Sequence, residues 1–510
     1  TVGVTEGLTV EQVKVPSIRR SAAGCSLLGG ESPRLSVGFD ESGTGEGFTA
    51  IDHLALSYML PNRMDGEAQR LMYIGPTADG DFVECQDAVE IWDVTSATDV
   101  SRHAVVDGKM TPRPCASVRR LVAFNPDSTL LAPEIVGEAD LGPIHDGLDE
   151  VDMIVVAHPD FEDAANELAV MHGQYQGLNV KVVTDSQIYD AMSSGTPSAS
   201  AIRSYVGRAY RQSGSRLKYL LLYGDGSYDN RGVAVTGDYL PTYQCPLERY
   251  MFDPERSYCS DAYFGMVDSV LNPERVFYGT VSLGVGRLPV RSPDEAHAVN
   301  EKIRRHLAFR PQSPYAYEGV FLCDAGDRNL HLKHAEALAG EFSVNRGAVV
   351  HKVYSDMSRW VDGKAPMARE ELARCLSSGC GYVHYVGHGT EYNIGGQDLW
   401  SNSAVAGTEY DIKPIVFHSS CLNGRFDGDR RSLAEEMLSS RCGGAVACIM
   451  AARSTDASYN HQLHLEFMRQ VGGAGPGATL GDVWMKAQNK CVDAARSFNN
   501  ASYAINVRHF

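Results

Sequence analysis

At 510 residues the chain exceeds what one hydrophobic core supports. With 43% hydrophobic and 22% charged residues it has the make-up of a globular protein of about two to four domains, not of a disordered one. A formal net charge of −18 excludes nucleic acid as the main partner, because phosphate contacts need clustered Lys and Arg.

Residues 1–150 read as a β-rich region, with alternating stretches such as FTAIDHLALSYML (48–60) and AVEIWDVTS (88–96) between Pro and Gly turns. The rhythm then changes. MIVVAHPD (153–160) is a buried strand, 161–176 a helix, and LNVKVVTD (178–185) a strand. PSASAIRSYVGRAYRQ (197–212) is a helix with Ile202, Val206 and Tyr210 on one face, and KYLLLYGDGSYD (218–229) is another strand. This alternation predicts a parallel α/β sheet over 151–310, completed by VSLGVGRLPV (281–290) and a helix that starts at Ser292-Pro293 with Glu295 in a capping box. After the linker RPQSPYAYE (310–318) a second α/β block covers 311–510. Its strands are GVFLCDAGD (319–327), GYVHYVG (381–387), PIVFHSS (414–420) and GAVACIMAA (444–452), with helices at 331–342 and 432–440. The two blocks read as similar subdomains.

No apolar run reaches the roughly 18 residues of a transmembrane helix, so no membrane span is expected. The cysteines are scattered and match neither a zinc ribbon nor a small disulfide scaffold. The start at Thr1, without Met or a signal-peptide pattern, reads as a mature or trimmed product.

GYVHYVGHG (381–389) sets His388 between two glycines at the end of a buried strand, where open α/β sheets gather their ligands. PIVFHSSCLNGRFDGD (414–429) ends the next strand in Cys421. The separation of 33 residues (421 − 388) suits a strand, a connection and an adjacent parallel strand. A His beside a Cys favours the thiolate and carries a proton to a leaving amine. The N–H groups of Gly389 and Cys421 would form an oxyanion hole. Two other readings stand beside this one: Cys421 as a small buried hydrophobe, and a metal set of His384, His388, His418 and Cys421. The latter is disfavoured because positions four apart on a strand lie far from each other, and no metal site is expected.

Together these segments resemble the gingipain family of cysteine peptidases, of the caspase-like clan. They are most similar to its PorU-type branch, the C-terminal signal peptidases of the type IX secretion system. SSGTPSASAIRSYV (193–206), YLLLYGDGSYDNRG (219–232), SDAYFG (260–265), GVGRLPVRSPDEA (284–296) and FDGDRRSLAEEML (426–438) look like that branch. So do AIDHLALSY (50–58), IWDVT (91–95) and LVAFNP (121–126) upstream. The resemblance implies a caspase-like fold of two parallel-sheet subdomains behind a β-rich region. It assigns Cys421 as nucleophile and His388 as its partner, Gly389 and Cys421 as oxyanion donors, and an orienting acid, Asp324 or Asp327, from the loop CDAGD (323–327). Arginine-specific members carry an acid near the helix after that loop. NLHLKHAE (329–336) has none before Glu336, so arginine specificity is not expected.

The resemblance further implies an enzyme, a peptide hydrolase, that removes C-terminal sorting domains from secreted cargo. Sortase-like transfer to a lipopolysaccharide amine would be its second half-reaction. The implied partners are such cargo, outer-membrane secretion-complex proteins and the lipopolysaccharide acceptor. The implied location is extracellular or on the outer-membrane surface of a Gram-negative bacterium. PorU-type chains are longer at both ends and carry later β-domains. The alternatives are a general secreted protease and an idle scaffold of a secretion complex. No cofactor is required, and the acidic surface leaves room for structural calcium, with Asp225 and Asp229 as ligands or turn caps. Trp400 and Arg453 are candidate substrate contacts, or packing and a solvated charge. Arg287 is expected in a structural ion pair.

Overall fold

The computed structural model describes residues 69–125 except 86, 87 and 89, and 142–510 except 232–238, 246–256, 269, 310–313, 347, 397, 398 and 476. It also describes the backbone of 2–4 and 35–37 and isolated positions between 132 and 137. The stretch expected as a strand at 48–60 lies outside the described residues. The chain divides into two compact units, one of Thr1–Val13 with Ser21–Glu138, the other of Lys14–Arg20 with Ala139–Phe510.

In the first unit β1 (Gln69–Ile74), β2 (Glu90–Asp93), β3 (Ser101–Ala104) and β4 (Arg119–Phe124) form an antiparallel sheet in the order β1-β4-β2-β3. One face is buried through Met72, Ile91, Leu121 and Ala123, while Leu71 and Tyr73 point outward, as the period-2 pattern requires.

The second unit contains two parallel sheets. β5 (Met153–Ala157), β6 (Val180–Thr184), β7 (Tyr219–Tyr223) and β8 (Gly284–Leu288) run in the order β6-β5-β7-β8. β9 (Glu318–Cys323), β10 (Val349–Tyr354), β11 (Tyr382–Val386), β12 (Ile415–Ser419) and β13 (Ala447–Ile449) run in the order β10-β9-β11-β12-β13. The two sheets thus share one winding order. Their strands are apolar runs because helices cover both faces, and each fully buried Val, Leu or Ile contributes about 1.5–3 kcal/mol.

Helix α1 (Glu162–Gln176) stops at Gly177, whose φ of 68° is the left-handed conformation that glycine takes cheaply. Helix α2 (Ala199–Gln212) starts on the Ser198 hydroxyl. Helix α3 (Pro293–Phe309) follows Ser292, and the Glu295 carboxylate turns back to the N–H of Arg291, one residue earlier than a capping box would place it. Helix α4 (Leu433–Ser439) has the expected box of Ser432 and Glu435.

The last helices, α5 (Ala457–Gly472), α6 (Leu480–Ser497) and α7 (Ala501–Arg508), serve both sheets. Leu463 of α5, Cys491 of α6 and Tyr503 of α7 pack with Ile154 and Leu220 of the first sheet. Phe467 of α5 and Val483 of α6 pack with Phe321 and Phe417 of the second. The start of α6 lies so close to β8 that a Cβ on Gly284 would sit 3.0 Å from the Gly481 Cα, which favours glycine at position 284.

Candidate active site

The register of the second sheet brings the candidate residues together. β11 pairs with β12 from Tyr382↔Ile415 to Val386↔Ser419, an offset that, continued two residues, sets His388 level with Cys421. On the other side of β11, Cys323 of β9 pairs with Val386, so Asp324 emerges beside the same loop. Three neighbouring strands therefore deliver Asp324, His388 and Cys421 at their carboxyl ends, where the winding order reverses.

The His388 loop is fixed through its main chain and leaves its ring free. The N–H of His388 donates to Asp324 Oδ2 at 2.8 Å, and its carbonyl accepts from Tyr385 Oη at 2.6 Å and from the N–H of Gly395 at 2.9 Å. Gly387 has a φ of 158°, and a Cβ there would run into Tyr385 Oη and the Asp324 carboxylate. The His388 side chain is 68% exposed, and its Nε2 lies 3.2 Å from Asp327 Oδ2. The two acids that the sequence left as alternatives thus have different jobs: Asp324 holds the backbone and Asp327 meets the ring. Asp327, Arg328 and Asn329 have φ values of 46°, 54° and 62°, a run of left-handed residues that turns the Asp327 carboxylate back toward His388.

A residue that sequence reasoning missed completes this cluster. His331, 3% exposed, has Nδ1 2.5 Å from Asp324 Oδ1 and Nε2 3.3 Å from Asp327 Oδ2, and its ring stands edge-on to that of His388 with centroids 5.0 Å apart. Burial opposes its charged form, but the hydrogen bond and charge of Asp324 and the charge of Asp327 outweigh burial and raise its pKa.

Cys421 is half-buried, and its sulfur accepts from the N–H of Thr455 at 3.3 Å and donates to the Thr455 carbonyl at 3.5 Å. The next residue, Leu422, has a φ of 63°, so the cysteine sits on a strained turn. Among the described residues no hydrogen bond joins the His388 ring to the sulfur, and the N–H groups of Gly389 and Cys421 have no internal partner. Asn423, fully buried, ties the two loops. Its Oδ1 accepts from Ser420 Oγ and contacts His418 Nδ1, and its Nδ2 donates to the carbonyls of Thr390 and Asn393.

The arginine-specific cysteine proteinase gingipain R (RgpB) superposes with a TM-score of 0.53 at 18% identity, over 72% of this chain and 77% of that one. The complex of the Porphyromonas gingivalis RgpB pro- and mature domains gives 0.53 at 17% identity, over 70% and 77%. At these identities the likeness is one of fold. Dimeric latent PorU from Porphyromonas gingivalis aligns at 26% identity over 48% of this chain and 25% of its own length, with a TM-score of 0.41, too loose an overlap to argue from. No curated protein matches the chain. The model of peptidase family C25 matches residues 147–507.

The chain belongs to peptidase family C25.

Other candidate residues have structural places in this C25 chain. Trp400 is 3% exposed and packs with Tyr385 and Val416 in the core, so its ring faces no open pocket. Arg453 is neither a solvated charge nor open to substrate. It is 2% exposed, it pairs through both terminal nitrogens with the buried Asp427, and it also bonds Ser257 and the Ala452 carbonyl. Arg287 forms the expected ion pair, with both oxygens of Asp261, and stacks over Phe426.

The metal set His384, His388, His418 and Cys421 is not assembled. His384 is buried with Tyr382, Ser419 and His464, while His418 is buried near Trp400 and Asn423. Burial lowers the pKa of His384, and takes His418 and His464 down to about 3. Asp225 meets a cation already present, Arg291, which also pairs with Glu435 at 3.0 Å. The Asp229 carboxylate accepts from the N–H of Arg231 at 3.3 Å, as a turn cap does.

Proposed function

We propose that this chain is a cysteine endopeptidase in which Cys421 attacks the scissile carbonyl and His388 carries the proton. The observation that carries the reading is the shared level of His388 and Cys421 at adjacent strand ends, with the imidazole exposed and the sulfur on a strained turn.

The sulfur of Cys421 bonds to the carbonyl carbon, and the oxygen takes the negative charge. Among the described residues the N–H groups of Gly389 and Cys421 are without partners, and they suit that oxygen. His388 gives its proton to the leaving amine as the C–N bond breaks. It then takes a proton from the incoming water, or from an acceptor amine, as the C–S bond breaks. With Nε2 against Asp327, Nδ1 is the nitrogen left to shuttle the proton. No step needs a cofactor.

The substrate reading rests on the segments that resemble the PorU-type branch, from SSGTPSASAIRSYV (193–206) to FDGDRRSLAEEML (426–438). It is removal of C-terminal sorting domains from type IX cargo at the cell surface, with transfer to a lipopolysaccharide amine in place of hydrolysis. Among the described residues no helix is long and apolar enough to cross a membrane.

The test is mass spectrometry after incubation with a peptidyl acyloxymethyl ketone, comparing wild type with Cys421→Ala and His388→Ala. An adduct confined to Cys421 and lost without His388 is expected, and no adduct on folded wild type would favour an idle scaffold. Cleavage of a cargo bearing a sorting domain, with casein left intact, separates the signal peptidase from a general protease. An added amine captured in the product separates transfer from hydrolysis.

A further inference from the structure

We infer that Arg453 and Asp427 are positioning residues for Cys421, their buried ion pair fixing the turn that carries the sulfur and tying it to the first α/β block. The inference rests on the proposed role of Cys421 and extends it.

The segment after β13 lies along the Cys421 turn as a cradle. The N–H of Gly424 donates to the Ala451 carbonyl at 3.0 Å, that of Leu422 to the Arg453 carbonyl at 3.3 Å, and that of Thr455 to the Cys421 sulfur at 3.3 Å. Thr455 Oγ1 adds a bond to the Ser420 carbonyl at 3.2 Å. Arg453 stands in the middle of this row. Its main chain holds Leu422, the left-handed residue next to the nucleophile, so the place of Arg453 sets the place of the sulfur.

The Arg453 side chain fixes that place. It reaches the far end of the same loop, where Nη1 and Nη2 donate to the two carboxylate oxygens of Asp427 at 2.8 and 2.5 Å. Such a fork sets direction as well as distance. Both partners are buried. Burial works against the Asp427 charge, but the hydrogen bond and charge of Arg453 outweigh it and hold the carboxyl below its usual range. A buried ion pair adds little stability, because dehydration offsets most of the attraction. What this one supplies is a fixed span across the loop from Cys421 to Asp427.

The pair is also gripped from the first block. Ser257 Oγ accepts from Arg453 Nε at 3.1 Å, Gln244 Nε2 donates to Asp427 Oδ2 at 3.2 Å, and the N–H of Tyr228 donates to the Asp427 carbonyl at 2.9 Å. The block that holds neither His388 nor Cys421 thereby helps to set the nucleophile.

The experiment is alkylation of the full chain by the peptidyl acyloxymethyl ketone, comparing wild type with Arg453→Lys and Gln244→Leu. The rate constant of the bond-forming step and the labelled fraction at the end point are read separately. Arg453→Lys keeps the charge and loses the fork. It should lower the rate constant about 10–100-fold, the effect of a small misplacement, while every chain still becomes labelled at Cys421. A merely structural role would lower the labelled fraction and leave the rate constant at the wild-type value, and that result would overturn the inference. Gln244→Leu removes one bond to the pair and should lower the rate constant about 3–10-fold. An unchanged rate constant there would overturn the first block's part, and the whole inference where Arg453→Lys does not fold. Iodoacetamide, read by mass spectrometry at Cys421 with the exposed Cys442 as reference, needs no peptidase. If wild type ignores the ketone, the peptidase reading fails and iodoacetamide alone judges the inference. A loosened turn should then speed Cys421 labelling about 3–10-fold in Arg453→Lys, or in Gln244→Leu where the former does not fold. Unchanged labelling would overturn it.

Discussion

Asp327 brings one carboxylate oxygen to 3.2 Å from Nε2 of His388, while the main-chain N–H of the same histidine is held by Asp324 at 2.8 Å. The two acids should therefore fail differently. Asp327 is half exposed, so Asp327→Asn should slow alkylation of Cys421 about 10–100-fold, within the range for a lost proton-transfer arrangement, and leave stability within about 0.5 kcal/mol. Asp324 is buried against His331, so Asp324→Asn should cost about 3–5 kcal/mol of stability as well. Alkylation kinetics beside denaturant unfolding would show it, and equal destabilisation by both changes would sink the division of labour.

Asn423 uses one amide to bind both the loop after His388 and the loop that carries Cys421. Replacing it by Ala leaves the part-buried carbonyl of Thr390 without this donor, while the Asn393 carbonyl keeps the N–H of Thr390. A loss of about 1–3 kcal/mol is expected, the cost of one unsatisfied group. Alkylation should slow even where the protein remains folded. A full-rate Asn423→Ala enzyme would mean that the loops keep their register without the clamp.

Much of this was legible from residues in order. The alternation of apolar runs with helical spacing pointed to two parallel sheets, because strands buried on both faces have to be apolar throughout. His388 and Cys421 were legible because glycines and a polar loop interrupt such runs at strand ends. What could not be read is what depends on side chains meeting across long separations. His331 stands in a helix and looks like any helical histidine until Asp324 is brought beside it. Thr455 reaches the Cys421 sulfur from the loop before α5. Arg453, one residue past an apolar run, resembles a surface charge, and only the fold reveals its buried partner Asp427, 26 residues away. The choice between Asp324 and Asp327 turned on backbone angles that no residue type announces.

Lys302 of α3 donates to the carbonyls of Met437, Leu438 and Ala445, at 2.9, 2.8 and 3.1 Å, and so fastens the first α/β block to the C-terminal end of α4. Burial lowers its pKa to about 8. Lys302→Met keeps the aliphatic stem and removes the donors, so it should destabilise by about 2–4 kcal/mol through the unsatisfied carbonyls. Unfolding in urea would measure the loss, and a stability equal to wild type would show that dehydrating the ammonium costs as much as its three bonds return.

Asp225 and Glu435 meet across the same junction, with Arg291 between them. Burial first, and the charge of Glu435 second, push the Asp225 carboxyl up to about 8 against the pull of Arg291. A carboxyl with a folded pKa above its unfolded one binds its proton more tightly when folded. Its contribution is complete below about pH 4 and is lost as pH rises toward 8, with a slope of at most about 1.4 kcal/mol per pH unit. The buried histidines act in the opposite direction. His418 and His464, held down near 3, make stability rise with pH until the unfolded chain's histidines lose their protons near about pH 6.5. Lys302 adds a rise only above about pH 8. Between pH 6.5 and 8 the contribution of Asp225 falls beside that of its partner Glu435, whose pKa burial also raises, and so does that of His331, whose pKa is raised. Relative to wild type, Asp225→Asn should therefore gain stability progressively across that window, because the variant lacks the falling Asp225 contribution and keeps those of the histidines. Unfolding free energies of the two proteins at pH 6.5, 7.25 and 8 decide it. Parallel curves would mean that Arg291 keeps Asp225 ionised throughout.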